Sequence, residues 1–389
     1  MTSPEERSAT LARRLRKRGI LTGAWEQAFA GVPRHAFLPD EIWAPEAGAP
    51  GRMVPVGRDD PYWMDSAYDD VAVATQVDDG RPSGRHGRGR TVTSSVSQPS
   101  LVMAMLNAAD LADGARVLEI GTGSGYNAAL LSARLGSHNV TSVEIDPQVA
   151  GHARARLLAA GWAPRVVTGD GARGVPANAP YDRVLATVAA NTIPYAWVEQ
   201  TVPGGLVVTP WGTPYSSAGL LRLSVGDDGT AAGQVSGRAG FMLLRCQRAP
   251  LGGWRRYVDT SASAETEDST TTVDLGDLVG LDGNARYAIG ILVPELYQVE
   301  QHADDGSGEY TLWLFDANGS WAAADHTPGA RSFRVSQHGP RALWTEVEEA
   351  YRWWTTAGRP GRDRFGLTVT PEGQTPWLDT PATPVTLDG

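Results

Sequence analysis

The chain has 389 residues, 41% hydrophobic and 20% charged, with a formal net charge of −10; this length allows two domains, or one with a large appendage. The acidic balance argues against nucleic-acid binding, which needs cationic side chains to neutralise phosphate, and the lone Cys246 and seven scattered histidines exclude a disulfide and offer no metal set. No run approaches the roughly 18 apolar residues of a membrane span, and the start MTSPEERSATLARRLRKRGI lacks an apolar h-region, so a cytoplasmic protein with no bound metal and no membrane partner is expected.

Residues 4–30 read as one or two helices ending in the turn G-V-P-R-H-A-F-L-P at 31–39. Residues 40–90 are rich in Gly, Pro and Asp with weak periodicity and read as mostly loop. Within them Arg81, Arg85, Arg88 and Arg90 form either a solvated loop or a clamp for an acidic peptide. A helix is predicted over 99–112, with Leu101, Met105 and Leu106 apolar and Asp113-Gly114 ending it. Strand patterns at 116–120, 140–145, 165–168, 182–187 and 205–209 then alternate with helical ones at 124–135, 147–160 and 192–201. That alternation predicts a Rossmann-like α/β fold with a mostly parallel central sheet, closed by antiparallel strands at 219–225 and 239–246.

Beyond about residue 250 the acidic, Ser/Thr-rich SASAETEDSTTT reads as an interdomain segment or long loop. Strand-like runs at 287–300, 309–315 and 331–336 follow, with an amphipathic helix near 341–357 that stripes Leu343, Trp344, Val347, Tyr351 and Trp354. The expected division is 1–95, an N-terminal helical and loop region; 96–250, the α/β core; and 251–389, a C-terminal α+β accessory domain.

The stretch V-L-E-I-G-T-G-S-G-Y-N at 117–127 places Gly121, Gly123 and Gly125 between a strand and a helix. A dinucleotide loop reads G-x-G-x-x-G, but its third glycine position here is Tyr126. Glu119 beside the loop would repel a pyrophosphate and can accept bonds from an amino group. S-adenosylmethionine, with an α-amino group and a sulfonium, suits that chemistry. Glu144 ends the next strand, where a carboxylate can hold both ribose hydroxyls, and Asp170, between Gly169 and Gly171, can accept from the adenine amino group. Thr122, Ser124, Ile145 and Thr187 complete the candidate cofactor set. The bland alternative is ordinary turn glycines and helix-capping acids.

Five segments, in order, carry a resemblance: R-K-R-G-I with V-P-R-H-A-F-L-P, V-S-Q-P-S-L-V, V-L-E-I-G-T-G-S-G-Y-N-A, Y-D-R-V-L-A-T-V-A and V-P-G-G-L-V-V-T-P. Over roughly residues 10–247 the chain resembles protein-L-isoaspartate O-methyltransferase, a class I methyltransferase, and R-A-G-F-M-L-L resembles that family's closing strand. The resemblance implies a carboxyl O-methyltransferase that releases S-adenosylhomocysteine. It implies that Ser97, with Ser94 and Ser95, approaches both cofactor and substrate carboxylate, and that Thr93, Gln98, Tyr68 and Asp69 lie on the substrate side. A helix N-cap is the alternative role for Ser97, which directly precedes Gln98-Pro99.

Relative to the shorter repair enzymes, this chain has about 140 further residues, with seven of its thirteen tryptophans beyond residue 250. It looks most like the long, ATP-grasp-associated forms. Those methylate one aspartate of a macrocyclised precursor peptide (a graspetide), giving an aspartimide or isoaspartate. The expected partners are then such a peptide and an ATP-grasp ligase; repair of damaged proteins and a non-catalytic peptide-binding scaffold are the alternatives. The C-terminal tryptophans are either packed core or a peptide platform.

Overall fold

The computed structural model describes residues 2–49, 51–82, 87–216, 218–248, 254–258, 265–280 and 283–387. Helices α1 (Pro4–Lys17) and α2 (Gly23–Gly31) open the chain, α1 from a reciprocal Ser3–Glu6 capping box. Strands β1 (Glu41–Pro45) and β2 (Met53–Gly57), helix α3 (Pro61–Tyr68), and strands β3 (Val73–Val77) and β4 (Val92–Val96) follow. The four strands pair antiparallel in the order β2-β1-β3-β4. Residues 40–90 are therefore not mostly loop. Each strand has only five residues and an irregular burial pattern, such as intermediate-intermediate-exposed in β2, so no period of two stands out.

Helix α4 (Pro99–Ala108) leads into the alternation β5 (Val117–Ile120), α5 (Tyr126–Leu135), β6 (Val140–Glu144), α6 (Pro147–Ala159), β7 (Arg165–Thr168), β8 (Tyr181–Ala186), α7 (Tyr195–Glu199), β9 (Thr201–Trp211), then β10 (Gly219–Val225) and β11 (Ala231–Arg238). The C-terminal region adds β12 (Glu267–Thr271), α8 (Asn284–Leu292), β13 (Tyr297–His302), β14 (Tyr310–Phe315), β15 (Trp321–His326), β16 (Phe333–His338), α9 (Leu343–Thr356), β17 (Phe365–Thr370) and β18 (Gly373–Leu378). The central sheet runs β18-β17-β11-β10-β9-β8-β5-β6-β7. It is parallel from β7 to β9 and antiparallel from β9 to β18. All four residues of β5 are buried, as a strand covered on both faces requires.

Three sequence expectations shift. Residues 239–246 form no strand; the run makes one bridge, Ala189 to Leu243, and ends in a 3-10 turn at Arg245–Gln247, and the hairpin partner of β10 is β11. The run 287–300 begins inside α8, whose Tyr287, Ala288 and Ile289 are wholly buried, so the helical period is masked by apolar residues on every side. Part of the acidic Ser/Thr stretch is β12, an edge strand paired to β16. The C-terminal region is also less separate than expected. Strand β17 extends the central sheet through β11, and Phe365, Leu367 and Val369 share one apolar core with Leu118 and Ile120. Trp321, Trp344, Trp354 and Trp377 are buried, so these four take the packed-core reading.

Arg34, in the turn after α2, ties the N-terminal layer to the core. Its guanidinium is buried and donates to the carbonyls of Ser66, Ala67, Val71, Val96 and Ser97 at 2.8–3.1 Å. Burial pulls its pKa down to about 10, which leaves it cationic at neutral pH. Arg34→Ala would strand several buried carbonyls, so a loss of at least about 3 kcal/mol is expected in urea unfolding. A loss under about 1 kcal/mol would contradict this account.

Candidate active site

The backbone leaves β5 through Gly121, Gly123 and Gly125, with φ of 91°, 53° and 93°, left-handed values that disfavour any side chain. Each glycine also permits a close approach. A Cβ on Gly121 would lie 2.9 Å from Val188 Cγ1, one on Gly123 3.4 Å from the Ser95 carbonyl, and one on Gly125 3.1 Å from Leu157. The loop is thus pressed between β4, the end of β8 and α6, and a cavity opens above it.

That cavity gathers most of the candidate cofactor residues: Gly121, Thr122, Gly123, Ser124, Glu144, Ile145, Asp170, Gly171 and Thr187, with Thr93, Ser94, Ser95 and Ser97 across from them. Gly125 and Gly169 are not among its lining residues. Gly125 packs on α6 instead, and Gly169 donates its N–H to the Glu144 carbonyl at 2.9 Å. Glu144 Oε2 accepts from the Gly123 N–H at 2.9 Å and Oε1 from the Asp146 N–H at 3.1 Å. Each oxygen keeps lone-pair capacity for a further donor. Burial pushes the Glu144 pKa up, opposed by those two bonds.

Glu119 differs from the sequence expectation. It is wholly buried beneath the loop and does not line the cavity. Oε1 accepts from Asn127 Nδ2 at 2.7 Å and Oε2 from the Ser142 hydroxyl, while Ser142 and Thr122 share a hydroxyl contact at 2.6 Å. Burial raises the Glu119 pKa to about 7. Its direct reach is to the loop's supports.

A second cleft is lined by Ser95, Ser97, Gln98, Leu101, Thr213, Pro214, Ser216 and Phe241, among others. Ser95, Ser97, Met242 and Leu243 line both hollows, so the two meet there. Among the described residues the cleft lining carries no charged side chain. Ser97 is not a helix cap: the N-cap of α4 is Gln98, without a side-chain bond, and the Ser100 N–H is taken by Asp70 Oδ1 at 2.8 Å. Ser94 and Thr93 are partly engaged, Ser94 accepting from Thr75 at 3.2 Å and Thr93 donating to Gln76 at 2.8 Å. Tyr68 and Asp69 lie elsewhere. They border a different hollow beside α1, with Tyr68 bonded to His35 and Asp69 paired with Arg14 at 2.8 Å. The loose Tyr-Asp match implied a place on the substrate side; Tyr68 ends α3, Asp69 is its C-cap, and neither lines the cleft at Ser95 and Ser97.

Sequence reasoning missed Arg245 and Arg248, which line the cofactor cavity. Arg245 bridges Asp79 at 3.2 Å and Asp146 at 3.5 Å, and Arg248 also binds Asp79, so the chain after Leu244 is strapped across the cavity mouth. The run F-M-L-L-R-C-Q-R carried the signal only as an apolar segment ending in arginines. Of the arginines weighed as a peptide clamp, Arg88 is paired with Glu46 at 2.5 Å, and Arg85 lies outside the described residues. Among the described residues no group of three or more His, Cys, Asp or Glu could hold a metal ion, and no helix is long and apolar enough to cross a membrane.

The family model for protein-L-isoaspartate(D-aspartate) O-methyltransferase matches residues 59–244. The protein-L-isoaspartate O-methyltransferase of Hyperthermus butylicus is 31% identical over 266 residues, 65% of this chain and 92% of the relative. The chain belongs to the protein-L-isoaspartate O-methyltransferase family. The enzyme of that name from Xanthobacter autotrophicus is 36% identical over 240 residues, 61% of this chain and 88% of its own. A solved protein-L-isoaspartate O-methyltransferase shares the fold, with a TM-score of 0.54 at 22% identity over 96% of this chain and 100% of its own. That likeness of fold takes in the C-terminal region as well as the α/β layer.

The family is one of S-adenosylmethionine-dependent carboxyl O-methyltransferases, and the cavity fits that cofactor. The glycine loop leaves space where any side chain would intrude, and the strand-end acids present oxygens to hydroxyl and amino donors. Bound there, S-adenosylmethionine supplies an electrophilic methyl group. The residues that would hold it are the loop from Gly121 to Ser124, with Glu144 and Asp170.

Two expectations follow. Gly121→Ala forces a side chain onto a left-handed backbone within 2.9 Å of Val188, so calorimetry should find cofactor affinity at least about tenfold weaker. Glu119 has a folded pKa of about 7 against an ordinary 4.5, so the folded state binds its proton more tightly. Its contribution to stability is full below 4.5 and is lost as pH rises through about 7. Thermal melts across that window should fall with pH for the native protein and flatten in Glu119→Gln; parallel curves would exclude Glu119 as the titrating group.

Proposed function

We propose that this enzyme methylates the free carboxylate of isoaspartyl residues in peptides and proteins. One observation carries the reading: the cofactor cavity meets an uncharged, hydroxyl-bearing cleft at Ser95 and Ser97. A carboxylate is ionised near neutral pH, so no general base is needed to make it a nucleophile. The protein has to hold the carboxylate oxygen in line with the methyl group and keep water out. Hydroxyls orient a carboxylate without neutralising it. A lysine or arginine in the cleft would bind it more tightly and lower its nucleophilicity, and among the described residues none lines the cleft. The names of the relatives support the isoaspartyl acceptor.

The assay compares an L-isoaspartyl peptide with its normal aspartyl isomer, following methyl transfer by mass. Transfer to the isoaspartyl isomer alone is expected. The narrower reading, one ordinary aspartate of a cyclised precursor peptide supplied by an ATP-grasp ligase, requires the opposite. The isoaspartyl peptide would then stay unmodified, while the cyclised peptide gains a methyl and then falls to one water below its starting mass. Ser97→Ala should lower kcat on the accepted peptide on the order of 100-fold with cofactor affinity unchanged. An unaltered kcat would remove Ser97 from the reaction.

A further inference from the structure

We propose that the C-terminal region sets acceptor recognition by holding the back of the turn between β9 and β10, whose front is a wall of the acceptor cleft. The inference rests on the reading of that cleft as the peptide site.

Gly212, Thr213, Pro214 and Ser216 line the cleft. Behind them the turn is gripped through its backbone. Arg286 of α8, 1% exposed, donates to the Tyr215 carbonyl, with its guanidinium 4.9 Å from the centre of the Tyr215 ring. Arg362 donates to the Ala218 carbonyl at 3.4 Å, and the Tyr287 hydroxyl to the Trp211 carbonyl at 3.5 Å. Three donors from the C-terminal region thus hold three carbonyls of one short turn. Carbonyl contacts of this kind fix where a backbone runs whatever side chains it carries.

At Gly290 the approach is closest. A Cβ there would lie 2.4 Å from Thr213 Oγ1 and 3.1 Å from Ser216 Oγ. Both hydroxyls are buried without a hydrogen-bond partner among the described residues. α8 therefore has no spare room against the turn, and any bulk added at Gly290 must swing Thr213 toward the cleft or shift the turn itself. Either changes the acceptor wall. The cofactor cavity shares none of Gly212, Thr213, Pro214 and Ser216, so the effect is confined to the acceptor. Arg286 and Gly290 are positioning residues that act through the turn.

Gly290→Ala is the direct test: the preference of alanine for a helix interior, about 1 kcal/mol, offsets part of an overpacking cost of about 1–3 kcal/mol, so a modest fall in melting temperature is expected. With the full-length enzyme and an L-isoaspartyl peptide, the peptide KM should rise at least about tenfold. The cofactor dissociation constant should stay within about twofold. An unchanged peptide KM, or equal losses for peptide and cofactor, overturns the inference. If the alanine variant does not fold, Arg286→Lys takes its place: the peptide KM should rise with the cofactor constant held, and an unaltered peptide KM overturns the proposal. A native enzyme that leaves the isoaspartyl peptide unmodified fails the proposed function, and this inference with it. Native turnover with an unmoved variant KM fails the inference alone.

Discussion

The buried cation of Arg34 fixes the end of β4, beside Ser97, in place. Arg34 faces backbone carbonyls from the end of α3, from Val71 and from the end of β4. A guanidinium with donors in a fixed fork suits this task better than lysine, whose ammonium is a compact point charge. Removing it from water is costly, and the multiple charge-assisted bonds are what offset that cost. The consequence for the site is specific. The Ser97 carbonyl is held from behind, so the hydroxyls of β4 face the glycine loop at a set distance, with the Ser95 carbonyl against Gly123.

Charge is distributed unevenly across the two hollows, in a way that suits the chemistry. The cofactor cavity has carboxylates at Glu144 and Asp170, with the arginine strap at its mouth, and a third acid, Glu119, lies beneath its floor. Among the described residues the cleft at Ser95 and Ser97 has none. The cavity thus carries charges of both signs, while a carboxylate in the cleft would meet neither a repelling acid nor a neutralising base. Glu119 belongs to the support of the loop rather than its surface. Its bonds to Asn127 and Ser142 join the start of α5 to β6, and through Ser142 to Thr122.

The C-terminal region shares its core with the α/β layer and is wired to the site from behind. Strands β17 and β18 lengthen the central sheet, and α8 and α9 pack together, with α9 also against β14, β15 and β16 of a separate five-stranded sheet. Burying Trp344 and Trp354 there removes large apolar surfaces from water, which accounts for much of the tryptophan enrichment without a peptide platform. Trp254 and Trp313 are only half-buried, their rings 5.1 Å apart and tilted by 35°.

The amino-acid sequence by itself determined the α/β alternation, the glycine loop, the acids at the strand ends and the hydroxyl run from Thr93 to Ser97. These are local patterns, written in spacing and in residue types that a turn or strand end demands. Tertiary structure decided what those patterns face. Glu119 turned inward because a buried strand residue beneath the loop has Asn127 and Ser142 as its nearest donors, and Tyr68 and Asp69 went to α1 because α3 carries them there. Arg245, Arg286, Arg362 and Gly290 reach the site only through contacts between residues far apart in the chain. No spacing rule encodes such contacts, because they exist only once the sheets are assembled and the backbones are packed against one another.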